Sequence, residues 1–143
     1  MKPNVLIDFD GVIHKYSKGV YDQTLYDGPV DGAKEFIDSI RDKYRIVIFT
    51  ARLSTFEGRE TCNITTDDIA EWMNKYDIYF DEITCQKLPA VAYVDDMAIG
   101  FSTSLGWDYV RSNLAFLDRI SRRQIGINTW DEFEDKLKEL RGG

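Results

Sequence analysis

Six residues in this chain could do acid–base or phosphate chemistry, and each follows a short apolar run. Asp8 and Asp10 close NVLIDFD; Thr50 closes RIVIFT; Lys87 follows the short segment Glu82–Thr84; Asp95 and Asp96 follow AVAYV. Two carboxylates two positions apart in extended backbone point to the same side. Carboxylates held side by side repel, and burial sharpens the repulsion. Adding Asp95 and Asp96 makes a cluster that needs a cation. Hard oxygen ligands favour Mg2+ over zinc or copper. Lys87 supplies a further positive charge, Thr50 a hydroxyl, and the backbone after Thr50 and Asp8 supplies N–H donors. The set suits phosphoryl transfer, in which positioned cations and donors stabilise charge spread over the transferred group. One carboxylate attacks in line, and a second moves the proton.

The elements that must position these groups are legible as alternating strands and helices. Asn4–Phe9 is a buried strand. The stretch 12–28 is irregular and rich in tyrosine. Pro29 is placed to open a helix with Ala33, Phe36, Ile37 and Ile40 on one face. Arg45–Thr50 is a second strand, so a βαβ unit with parallel strands is expected. The loop Leu53–Asn63 precedes a helix capped by Thr65 or Thr66, with Ile69, Trp72 and Met73 facing the core. Short strands at 82–84 and 90–94 follow. Past them we expect a helical turn at 97–101, a strand at 107–110, and a helix at 113–122 with Leu114, Leu117 and Ile120 inside. A last helix is capped by Thr129 with Glu132. Ligands of open parallel sheets bind beyond the carboxyl ends of the strands, so the dispersed polar groups should meet at one edge.

Bulk properties narrow the class. One domain over 1–143 is the economical reading of 143 residues with 43% apolar content. A net charge of −7, from 25 acidic and 18 basic residues, argues against a protein that coats nucleic acid. Cys62, Cys85 and the lone His14 are too few for a structural zinc site. No apolar segment resembles a secretion signal or a membrane span, so a cytoplasmic protein without membrane contact is expected.

DFDGV at 8–12, Thr50 in VIFTAR, Lys87, and Asp95–Asp96 in YVDDMAI together resemble the ordered motifs of the haloacid dehalogenase-like (HAD) superfamily, over roughly residues 4–100. The resemblance implies a three-layer α/β/α Rossmann-like fold with a mostly parallel sheet. It implies Asp8 as nucleophile and metal ligand, and Asp10 as general acid/base lending its carbonyl to the metal. Thr50 would bind the phosphoryl group, and Lys87 would neutralise charge on it and on Asp8. Asp95 would ligate Mg2+ directly, and Asp96 through water or by orienting a ligand. Dehalogenases of the superfamily lack the second acid, so Asp10 points to phosphoester hydrolysis. The gaps between motifs are too short for a large cap domain, which implies an open site. Ala51, Arg52 and His14 are expected beside Thr50 and Lys87 on the substrate side, with a salt bridge as the other reading of Arg52. The expected substrate is a phosphorylated small molecule or nucleotide, with a phosphorylated macromolecule as an option the open site admits and oligomerisation as a way to cover it. The alternatives are a phosphotransferase and a protein of this fold that binds phospholigands without turnover. A receiver-like domain would carry its acids in another order, and no GxxxxGK loop is present.

Overall fold

Parallel strands dominate the chain, as the alternation of short apolar runs with amphipathic helices requires. The structure, a computed structural model, describes residues 1–19, 22–54 and 63–124. These fall into two compact units, one formed by Met1–Tyr16 with Gln23–Asp96, the other by Ser17–Asp22 with the segment from Met97 onward.

In the first unit β1 (Asn4–Asp8), β2 (Arg45–Phe49), β3 (Glu82–Thr84) and β4 (Ala92–Val94) form one sheet in the order β3-β2-β1-β4, every pairing parallel. The register sets Asp8 opposite Phe49 and Ile7 opposite Val94. Asp95 therefore leaves β4 one step beyond the level of Ile7, where β1 ends in Asp8. Alternation along the strands sends Val5, Ile7, Ile46 and Ile48 into one apolar cluster, with Leu6 and Val47 pointing the other way and also fully buried. A sheet buried on both faces accounts for the near-continuous apolar runs.

The helices α1 (Ala33–Ile40) and α2 (Thr66–Lys75) bring Ile37, Ile69, Trp72 and Met73 into that same cluster. Thr65 caps α2 in a capping box: its side chain accepts from the Asp68 N–H, and the Asp68 carboxylate accepts from the Thr65 N–H. Helix α1 starts later than Pro29 suggests. The Val30 N–H is held by the Ile13 carbonyl, Pro29 bridges to His14, and Gly32 adopts a left-handed φ of 90° before the first helical residue. Phe36, expected on the buried face, is exposed.

In the second unit, the 97–101 segment is not helical and 107–110 is not a strand. Helix α3 runs from Gly106 to Gln124 without interruption. Ser102 starts it, its carbonyl accepting from the N–H groups of Leu105 and Gly106. That local turn overrides the β-propensity of Trp107–Val110. Leu114 is exposed and Leu117 partly buried. The helix expected after Thr129 and the middle of the Leu53–Asn63 loop, Cys62 included, lie outside the described residues. No helix among the described residues is long and apolar enough to cross a membrane.

Candidate metal and phosphate site

Three carboxylates converge where β1 and β4 end. One oxygen from each of Asp8, Asp95 and Asp96 lies within 4.8 Å of the others. The parallel register produces this, because adjacent strands deliver their first polar residues at one level. Gly11 lets the turn after β1 pass close by: its φ is +85°, and a β-carbon there would run into the Asp96 carboxylate. Asp8 is pushed up from 3.8 to about 8, first by burial and then by the charges of Asp95, Asp96 and Asp10. Asp96 is also raised, by burial and by Asp95, and is lowered in part by its hydrogen bond with Asp8. The two shifts agree on one arrangement, in which Asp8 carries a proton and donates it to Asp96. Such a carboxyl is held away from its preferred ionised state and would release the proton to a cation. Three hard, anionic oxygen donors fit a divalent cation such as Mg2+.

Asp10 faces a different environment. Its Oδ2 accepts from Arg52 Nε at 2.7 Å, and its Oδ1 accepts from Arg52 Nη2 at 2.9 Å. His14 Nδ1 lies 2.8 Å from the same Oδ1. The Asp27 backbone N–H donates to His14 Nε2 at 3.0 Å, so Nε2 is bare and the ring proton sits on Nδ1, facing Asp10. Arg52 and His14 are 1% and 0% exposed. Arg52 Nη1 donates to the Thr24 carbonyl at 3.0 Å, and Trp72 Nε1 to the Asp27 carbonyl at 3.0 Å. Phe9 stacks on the His14 ring at 5.3 Å, and Trp72 meets it edge-on at 5.7 Å.

Arg52 and His14, expected on the substrate side, are instead buried against Asp10. Thr50 is buried at the end of β2, its N–H on the Thr84 carbonyl and its Oγ1 accepting from the Arg52 N–H at 3.1 Å. Ala51 is exposed in the first position of the 3-10 turn Ala51–Leu53, where a helical N–H lacks an intrahelical acceptor. The N–H after Asp8 is not open as expected: Phe9 N–H goes to the Phe49 carbonyl at 3.2 Å and to Asp8 Oδ1 at 3.0 Å. Lys87 is exposed; its ammonium rests 5.8 Å from the centre of the Tyr93 ring and makes no ion pair with Asp8. Nothing in the sequence pointed to Asp27 and Trp72 as supports of His14, because both act through a backbone group or an indole already assigned to the core. The four-residue spacing of Asp10 and His14 was the one hint of their contact.

Fold and site define a parallel α/β protein with a cluster of three aspartates at the carboxyl edge of its sheet. Comparison of the chain with protein-family models, with curated proteins and with solved structures finds no match.

Proposed function

We propose that this protein is a Mg2+-dependent phosphoester hydrolase of the haloacid dehalogenase-like type, working through an aspartyl-phosphate on Asp8. The observation that carries the reading is the convergence of Asp8, Asp95 and Asp96 where β1 and β4 end, where burial and mutual repulsion disfavour the ionised form of Asp8. Mg2+, held by these carboxylates and the Asp10 carbonyl, would supply positive charge against the phosphoryl oxygens and keep Asp8 ionised.

Asp8 then attacks phosphorus through a carboxylate oxygen, the bond to the leaving oxygen breaks, and Asp10 gives that oxygen its proton. Water attacks the phosphorus of the aspartyl-phosphate, Asp10 takes the water proton, and Asp8 is released with inorganic phosphate. The Thr50 hydroxyl and the Ala51 N–H are the donors assigned to the phosphoryl oxygens. Lys87 is assigned the neutralising charge on the resemblance alone, and it must leave Tyr93 to deliver it. The substrate class is a phosphate monoester of a small molecule or nucleotide.

The test is phosphate release from a broad phosphoester panel, with Mg2+ and with EDTA, beside Asp8→Asn. Metal-dependent release that the substitution abolishes is expected. Release that survives both EDTA and Asp8→Asn would refute the assignment.

A further inference from the structure

Helix α3 carries an apolar stripe that the described residues leave largely in water. Trp107, Val110, Leu114 and Leu117 follow one another at spacings of three and four, which sets them along one side of a helix. Trp107 and Leu114 are 70% and 60% exposed, and Val110 and Leu117 are only half-buried. The Trp107 ring meets Phe101 at 4.6 Å, so the first turn of the stripe has a partner. Leu114 stays open. A helix of 19 residues gains little from propensity alone and draws its stability from packing such a face.

We propose that the stripe is covered by the chain's own segment 129–140, laid antiparallel along α3. That segment lies outside the described residues and follows α3 after a connection of four residues, 125–128. Connections of this length join antiparallel neighbours. Four residues reach at most about 14 Å, and a parallel return alongside α3 would have to span about 18 Å for a twelve-residue helix. Phe133, Leu137 and Leu140 repeat the same spacings. Setting Leu140 beside Leu114 brings Leu137 beside Leu117 and Phe133 beside Ser121 with no further adjustment, the bulkiest member against the smallest. Charge favours the same direction. The last two turns of α3 contain Arg119, Arg122 and Arg123, and the segment begins with Asp131, Glu132, Glu134 and Asp135. An antiparallel pair brings these opposite signs to one end, at a helix separation of about 8–10 Å that salt does not fully screen. A second copy of α3 offers no such acidic stretch, since its first two turns hold Asp108 and Arg111. The pairing is independent of the chemistry at Asp8.

Cysteine cross-linking in the full chain tests the pairing. In a background of Cys62→Ser and Cys85→Ser, one protein carries Leu114→Cys with Leu140→Cys. A control carries Ser112→Cys with Leu140→Cys, which puts the first thiol on the far side of α3. Mild oxidation of dilute protein should close the 114–140 bridge within one chain at least about tenfold faster than the 112–140 bridge. Leu137→Asp in the otherwise unaltered chain gives a measurement free of added thiols. Backbone amides from Val110 to Leu117 should exchange hydrogen at least about tenfold faster than in wild type, while those of β1 and β2 keep their protection and show that the rest of the chain is folded. Bridges that form only between two chains, with a concentration-dependent dimer in light scattering, would overturn the proposal in favour of a second copy. Equal rates for the two cysteine pairs, or α3 exchange unmoved by Leu137→Asp, would overturn it outright.

Discussion

Replacing Asp8 by Asn should stabilise the metal-free protein, and by an amount that depends on pH. Folded Asp8 keeps its proton up to about pH 8, whereas in the unfolded chain it loses it near 3.8. Between those values the native state binds more protons than the unfolded state, so stability falls as pH rises through the window. The displacement from 3.8 to about 8 corresponds to on the order of 6 kcal/mol at about 1.4 kcal/mol per pH decade. Asp96 is exposed, and water around it screens the cluster. About half of that sum, on the order of 3 kcal/mol, is the reasonable expectation. Asparagine removes the charge and keeps an N–H for Asp96. Metal-free Asp8→Asn should therefore melt about 10 °C above wild type at pH 8.5 and level with it near pH 4. Saturating Mg2+ should raise the wild-type midpoint at pH 8.5 and hardly at pH 5, where the cation must displace a proton. Thermal melts by circular dichroism at several pH values, with EDTA and with Mg2+, measure all of this. A difference between the two proteins that stays constant from pH 4 to pH 8.5 would refute the reasoning.

Gly11→Ala should destabilise the fold by about 1–3 kcal/mol through its positive φ alone, and should weaken Mg2+ binding in calorimetry by displacing Asp96. Thr50→Val removes the acceptor of the buried Arg52 N–H and should cost about 1–3 kcal/mol in urea unfolding, whereas Thr50→Ser should cost little of it. His14 is the only histidine, so 15N-histidine labelling gives one ring to assign; a protonated Nδ1 with a bare Nε2 is expected, and the opposite tautomer would contradict the Asp27 contact.

The sheet edge could be read from the chain because parallel strands announce themselves as apolar runs, and the polar residues just past each run must meet at one end. Asp8, Asp95 and Asp96 meet there as expected. For Arg52 the sequence left two readings, since a guanidinium suits a phosphate and a carboxylate equally well, and the contact of His14 with Asp10 was not read at all. Only the fold around Thr24 and Asp27 decides which the guanidinium meets. Helix α1 began late because Gly32 and the Val30–Ile13 hydrogen bond act against Pro29, a contest between local and long-range contacts that periodicity does not register. The same holds for 107–110, where the turn at Ser102 outweighed the aromatic residues that suggested a strand.

The segment from Thr24 to Asp27 touches Arg52 through a carbonyl at one end and His14 through an N–H at the other, and Trp72 grips its last carbonyl. All three contacts are made by backbone atoms of the segment. It thus works as a ruler whose markings are peptide groups and not side chains. Drift in residue identity leaves these three contacts intact. A single insertion or deletion between the two ends would satisfy one anchor and strand the other. Among proteins descended from this one, length between these two positions should be held far more strictly than sequence.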